Sequence, residues 1–340
     1  MKITSFGLDI AKNVFHLVGL NQANKVGLKK RLRRSEVIRY FSQQPVCTIG
    51  MEACAASNYW GRELKRLGHQ VHLIPAQHVK PLVRGQKNDF NDALAIAEAL
   101  GRPGMRFVPV KSVTEQDAQA LHRIREGAIS ARTALVNRVR GLLAEYGIVF
   151  PKGIARLRRA LPELMEDADN GLSADFRFLL DIQYQQLCRL DEQIKRLTDR
   201  VQIQVRVDED ARRLLSIPGF GPIVASVWRA RMGNGHQFRR GRDASASVGL
   251  VPRQHSTGGK TTLLGITKRG DPYLRCLLIH GARAVVRSTH KKSDPLSQWI
   301  TRLVQRRGIH IATVALANKL ARIAWAVTVN QTPFEPQRAA

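Results

Sequence analysis

The hydrophobic positions of this chain fall into two regimes, short runs near the N-terminus and long helical stripes after it. Ile3 to Ile10 and Val14 to Leu20 are apolar runs of strand length, and Lys25 to Arg33 is a basic third run. The short connections between them favour antiparallel hairpins. Ser35 opens a helical pattern with Val37, Ile38 and Phe41 on one face. Val46 to Met51 reads as a buried strand with Glu52 at its end, Asn58 to Leu67 as a helix stopped by Gly68, and Val71 to Ile74 as another strand. Ala93, Leu94, Ile96, Ala97 and Leu100 then keep helical spacing. Three strands, helix, strand, helix, strand and helix predict an α/β layered domain with a mixed sheet over residues 1–110.

The stripes that follow are longer. Leu121, Ala128, Leu135 and Leu142 recur every seven residues, with Ile124 and Ala131 between them. Leu180, Leu187, Ile194 and Val201 do the same, interleaved by Leu190 and Leu197. Both follow a coiled-coil seam, so residues 111–206 read as two long helices. These form either an antiparallel hairpin or an intersubunit coiled coil for oligomerisation; a plain helical linker is the other reading. Residues 207–330 read as a helical domain. Leu214 to Pro222 ends one helix and starts the next, which runs to about Met232. The turn resembles a helix-hairpin-helix, whose amides at Gly219 and Gly221 would hold a phosphate backbone; a purely structural hairpin reads equally well. A short helix covers Asp243 to Gly249, and a glycine-containing loop follows. Three helices close the domain at about Asp271–Arg287, Pro295–Arg306 and Ile311–Val329, and 331–340 is a tail. Asp271 caps the first of these, with Pro272 at its first helical position.

Charge narrows the function. The 340 residues hold 55 basic and 27 acidic side chains, net +28. The excess lies in the two end domains and the middle is nearly balanced, so the ends expect a polyanion and the middle a protein contact. Nucleic acid stands well ahead of membrane as that polyanion. No apolar run of membrane-spanning length and no signal peptide is evident, which predicts a cytoplasmic protein without a membrane partner. Cys47, Cys54, Cys188 and Cys276 are scattered, so reduced thiols, mostly in the core, are expected rather than a disulfide or zinc.

Two stretches carry candidate chemistry. In Lys87-Asn88-Asp89-Phe90-Asn91-Asp92 the carboxylates stand three apart at a helix start. Alone, they fit a solvated first turn favoured by the helix dipole. Asp9 and Glu52, however, end strands whose tips converge at one sheet edge. Four carboxylates at one locus repel unless cations neutralise them. Hard oxygen ligands suit Mg²⁺, with Mn²⁺ the alternative ion. Two ions about 3.5–4 Å apart clamp the attacking and leaving oxygens of a phosphodiester. The second stretch is Gln254-His255-Ser256-Thr257-Gly258-Gly259-Lys260. Gly258 and Gly259 let backbone approach a ligand, and Arg253, Lys260, Lys268 and Arg269 can hold phosphate. The residues alone fit a phosphate-binding loop, or a serine nucleophile.

Gly7-Leu8-Asp9-Ile10-Ala11-Lys12, Met51-Glu52-Ala53 and Lys87 to Ala93 resemble the acidic blocks of the DEDD transposases of the insertion-sequence one-ten family, eleven-eleven branch. Gly249 to Lys260 and Ile266 to Asp271 resemble that family's C-terminal signature. The resemblance implies an RNase H-like domain similar to the RuvC junction nuclease, with Asp9, Glu52, Asp89 and Asp92 as metal ligands. Some members carry Thr at the place of Phe90. It implies a serine nucleophile, assigned to Ser256 with Thr257 as the alternative. It also implies donor and target DNA, a structured bridge RNA, and tetramers built as dimers of dimers that share composite sites. Two other readings compete: a Holliday-junction-type endonuclease using the acids alone, and a non-catalytic nucleic-acid scaffold.

Overall fold

The computed structural model describes residues 3–86 and 88–336. Lys87, the first residue of the acidic block, and 337–340 of the expected tail lie outside the described residues. The chain divides into two compact units, Met1–Gln116 and Asp117–Ala340.

The first unit is built on a five-stranded sheet. Its strands are β1 (Ile3–Ile10), β2 (Val14–Asn21), β3 (Val26–Arg33), β4 (Thr48–Glu52) and β5 (Gln70–Ile74), in spatial order β3-β2-β1-β4-β5. β1 to β3 are an antiparallel meander, and β4 and β5 run parallel to β1. The mixed sheet and its order are consistent with an RNase H-like fold. Side chains alternate across the sheet. Phe6, Leu8, Phe15, Leu17, Ile49 and Met51 pack on one face, against Val37 and Phe41 of α1 (Val37–Ser42) and Trp60 and Leu64 of α2 (Ser57–Arg66). The opposite face carries Val18 and Leu20. It is covered by Ala93 and Ala97 of the helix that starts at Asp89. That helix is α4 (Asp89–Leu100), preceded by the single turn α3 (Ala76–Val79).

Gly7 sets how close α4 comes. A Cβ there would collide with the carbonyl oxygen of Ala93 and lie 2.5 Å from the amide of Ala97. Gly7 and the alanines of α4 therefore let helix and sheet meet backbone to backbone. This close approach puts the first turn of α4 beside the end of β1.

The second unit is mainly helical. The long helices α5 (Val113–Ala144) and α7 (Ala174–Val207) flank α6 (Ile154–Glu166). Arg125 donates to Thr198 Oγ1 at 2.8 Å, Arg132 to Asp191 at 2.7 Å and Arg138 to Gln183 at 3.4 Å. Partner numbers fall on α7 as they rise on α5, so the pair is an antiparallel hairpin within one chain. Asp191 also accepts from Arg158 at 2.9 Å. Burial opposes its charge, but the two guanidinium groups outweigh burial and hold its carboxyl below the usual range. The seven-residue stripe of α7 is buried at Leu180, Leu187, Ile194 and Val201, as its spacing predicts. The stripe of α5 is buried only in part: Ala128 and Leu135 lie in the core, but Leu142 is 41% and Ile124 54% exposed, while Val136, Val139 and Leu143 are buried. From Val136 the buried positions step by three and four to Val139 and Leu143, so the heptad spacing persists but is displaced by one residue from the Leu135–Leu142 register.

The remaining elements are α8 (Glu209–Leu214), α9 (Pro222–Met232), α10 (Gly241–Ser247), β6 (Pro252–Thr257), β7 (Lys260–Ile266), α11 (Pro272–Ser288), α12 (Pro295–Arg307) and α13 (Ile309–Asn330). Three expectations change here. The serine segment is not a loop but one strand of an antiparallel hairpin. Gly258 and Gly259, at φ +54° and +77°, supply the two left-handed residues that a tight hairpin turn requires. One run does reach membrane-spanning length and apolarity, α13, with mean hydropathy 1.2. Its Leu316, Leu320, Ala324 and Val327 are core residues of this unit, packed with Trp228, Leu274 and Leu278. Of the four free cysteines only Cys47 is buried; Cys54 and Cys276 are exposed.

Candidate active site

Asp9 lies on the α4 side of β1, two residues after Gly7. The parallel register pairs Leu8 with Met51, which carries Asp9 alongside Glu52 at the ends of β1 and β4. The antiparallel register pairs Asp9 with His16 on β2. Asn88 caps α4, its side chain accepting from the Phe90 amide at 2.9 Å. Asp89 and Asp92 thus occupy the first turn of a helix lying over the sheet.

Ligand atoms of Asp9, His16 and Asp89 lie within 4.8 Å of one another. His16 Nδ1 is 3.3 Å from Asp89 Oδ2. That nitrogen is buried and makes no hydrogen bond of good geometry. Burial and the charges of Asp92, Asp89 and Glu52 push the Asp9 carboxyl up to about 6, with His16 the opposing influence. The four expected acids therefore share one electrostatic site. Asp9 and Asp89 are at its centre, with Asp92 and Glu52 close enough to perturb Asp9. Phe90 packs edge-on against His16, ring centroids 4.8 Å apart, and takes no ligand position.

His16 is the residue that sequence reasoning missed. Its signal was the tight β1–β2 hairpin, whose register sets it opposite Asp9. The donor set of carboxylate oxygens and one imidazole nitrogen, the unsatisfied buried Nδ1 of His16, fits a divalent cation. Asp9 also gives a pH test. Its carboxyl titrates near 3.8 in an unfolded chain and about 6 in the fold. The folded state then holds more of this proton between those values, so Asp9's contribution to the stability of the metal-free protein falls as pH rises from about 4 to 6, a decline that Asp9→Asn removes. Thermal melts should show this decline. Mg²⁺ should stabilise the protein more at pH 7.5 than at pH 5, because cation and proton compete for the same oxygens.

In the second unit Ser256 sits mid-hairpin, opposite Thr261, and Gln254 opposite Leu263. Gln254 Nε2 donates to Ser256 Oγ at 2.7 Å. Alternation puts Ser256 and Gln254 on one face of the ribbon and Thr257 and His255 on the other. Arg253, Ser256, Thr257, Gly258, Gly259, Lys260, Lys268 and Arg269 are all exposed. Arg275 donates to the carbonyls of Val248 at 2.9 Å and Arg269 at 3.2 Å, tying down both ends of the hairpin. At the α8–α9 turn, Gly221 is exposed at the start of α9. Gly219, at φ +82°, lies against the backbone of Gly281 on α11, so a left-handed backbone and close packing both call for glycine there.

A DEDD transposase domain model matches residues 6–148. A second model, described as transposase IS116/IS110/IS902 family, matches residues 211–297. A transposase for insertion sequence element IS1111A of Coxiella burnetii is 44% identical over 98% of this chain and 91% of its own length. The chain belongs to the IS110/IS116 family of DEDD transposases. A Pseudomonas aeruginosa protein named "probable family 20 transposase" is 47% identical over 99% of this chain and all of its own. A transposase for element IS1328 of Yersinia enterocolitica is 40% identical over 98% of each chain. Membership implies that this transposase cuts and rejoins DNA, and that its DEDD domain uses divalent metal.

Proposed function

We propose that this transposase exchanges DNA strands through two cooperating groups. One is a Mg²⁺ site of Asp9, Glu52, Asp89 and Asp92; the other is the hydroxyl of Ser256. Two ions held by the acids would offset the negative charge that builds at phosphorus. Ser256 Oγ attacks the scissile phosphate, so a P–Oγ bond forms as one bridging P–O bond breaks. The serine proton leaves, and the released strand oxygen gains one. The phosphoserine ester keeps the energy of the cut bond, and a hydroxyl of another strand reverses the step to rejoin. Gln254 donates to Oγ, so it fixes the oxygen while leaving the serine O–H free to ionise. Thr257, on the other ribbon face and β-branched, is the poorer nucleophile.

The single observation that supports this most is the gathering of three carboxylates, Asp92, Asp89 and Glu52, around a half-buried Asp9, in a chain whose family cuts and rejoins DNA. The net charge of +28 suits a protein that holds two DNA duplexes and a structured bridge RNA. The α5–α7 arm is the surface for assembly into a dimer of dimers in the cytoplasm, at the nucleoid. There the serine of one copy would complete the acid site of another. Arg253, Lys260, Lys268, Arg269, Gly258 and Gly259 hold the strand near the hairpin, and the α8–α9 turn with Gly219 and Gly221 holds backbone phosphate.

The test uses donor DNA, target DNA and the element's flanking RNA, with Mg²⁺ or with EDTA. Joined strands are expected only with Mg²⁺. Hydrolysed ends without joining would favour the junction endonuclease. Nucleic-acid binding with no product under either condition would favour the scaffold.

A further inference from the structure

The second unit contains a groove of about 1350 Å³ between the foot of the β6–β7 hairpin and the flank of α13. A small-molecule site occupies roughly 300–1,000 Å³, so this groove suits a longer, chain-like occupant. Its lining includes Arg253, Lys268, Arg307, Lys319 and Arg322, and none of the described lining residues is acidic. Lys319 stands 4.8 Å over the Trp299 ring and is partly desolvated beside Arg322. Such a cationic wall attracts a polyanion. The facing wall, formed by the hairpin, adds open apolar side chains to Arg253 and Lys268. Leu263 is 64% and Leu264 47% exposed there.

The two walls together select the occupant. Duplex DNA offers phosphates and groove edges, while its base faces are stacked away. It would satisfy the charges and leave the leucines in water. An unpaired strand offers both phosphates and base faces, the combination that single-strand grooves use. We propose that this groove binds an unpaired nucleic-acid strand, with phosphates along α13 and bases against Leu263 and Leu264. Leu263 pairs with Gln254, and so shares the ribbon face of Ser256. The strand would therefore leave the groove toward the Ser256 hydroxyl. That last placement rests on the proposed function; the binding itself does not.

The experiment measures fluorescence anisotropy of the full-length protein without divalent cation, so that strand chemistry is off. The probes are labelled dT12, rU12 and a 12-base-pair duplex. Leu263→Ser/Leu264→Ser should weaken single-strand binding by about fivefold or more through lost apolar burial, and duplex binding by less than about twofold. Arg307→Ala/Lys319→Ala should weaken every probe and lower the salt slope by about 0.7 for each phosphate no longer neutralised on the single strands. The dT12 and rU12 arms show whether DNA or RNA is preferred. Because the leucines are exposed, unchanged thermal melts are expected; if melts shift, crosslinking of a 4-thiouridine strand to the wild type decides. Crosslinks within residues 263–266 or 299–326 support the proposal, and crosslinks confined elsewhere overturn it. Unchanged single-strand binding in the leucine variant, or an equal loss on duplex, also overturns it. So does a variant that alters oligomeric state alone, which would make the groove a seat for a second copy. Mg²⁺-dependent strand joining is scored separately, so the groove can fail while the proposed chemistry stands.

Discussion

Asp9→Asn should abolish strand joining, by at least about 10³-fold, while leaving DNA and RNA affinity within about twofold. The size follows from position. Asp9 is the half-buried centre of the acid cluster, flanked by Asp89 and His16 and perturbed by Asp92 and Glu52. Losing its charge removes one ligand and weakens the reason for the other acids to hold a cation. The metal-free variant should melt at a higher temperature than wild type at pH 8, because one of the mutually repelling charges is gone. That gain separates the reading from a structural one, in which Asp9→Asn would destabilise the fold. A variant that joins strands at the wild-type rate would remove Asp9 from the chemistry.

Ser256→Ala should eliminate any denaturant-stable protein–DNA linkage, whereas Thr257→Ala should retain at least about a tenth of wild-type joining, consistent with loss of packing rather than of a nucleophile. The two hydroxyls are neighbours in sequence but stand on opposite faces of the ribbon. A phosphate approaching one face reaches one of them. Gln254 adds a graded check. Gln254→Ala should lower the rate of linkage formation without changing where the linkage forms, because the amide only positions Oγ. Thr257→Ala abolishing the linkage while Ser256→Ala keeps it would reverse the assignment.

Much of the first unit was legible because each strand is a compact apolar run and each acid ends an element. Asp9 and Glu52 close strands, and Asp89 opens a helix, so element boundaries alone bring them to one edge. His16 was not legible in that way. It sits inside a strand, and only the antiparallel register that pairs it with Asp9 gives it meaning. Gly7 likewise looks unremarkable in sequence, yet its missing Cβ fixes the height of α4 over the sheet.

The hairpin was hidden for the opposite reason. Every residue of β6 is exposed, so no buried face imprints an alternation of apolar and polar residues. Gly258-Gly259 between two hydroxyl-rich runs was the available signal, and it is a turn signal rather than a strand signal. Along the arm, α7 kept its seven-residue stripe because it packs continuously on neighbouring helices. On α5 the buried positions step from Val136 to Val139 to Leu143, so the heptad spacing placed Leu142 in a core that the fold does not give it. The membrane-length run of α13 is obscured in the sequence because Lys319 and Arg322 interrupt it; those two residues now mark the cationic wall of the groove.

The most direct measurement traps the reaction with Mg²⁺, donor and target DNA and the flanking RNA, then digests both protein and DNA under denaturing conditions. Mass spectrometry then locates the residual nucleotide on the peptide. The account predicts a phosphodiester-linked nucleotide on Ser256, absent with EDTA and absent in Asp9→Asn. Joined DNA with no nucleotide on any peptide, or a nucleotide on a residue other than Ser256, would contradict it.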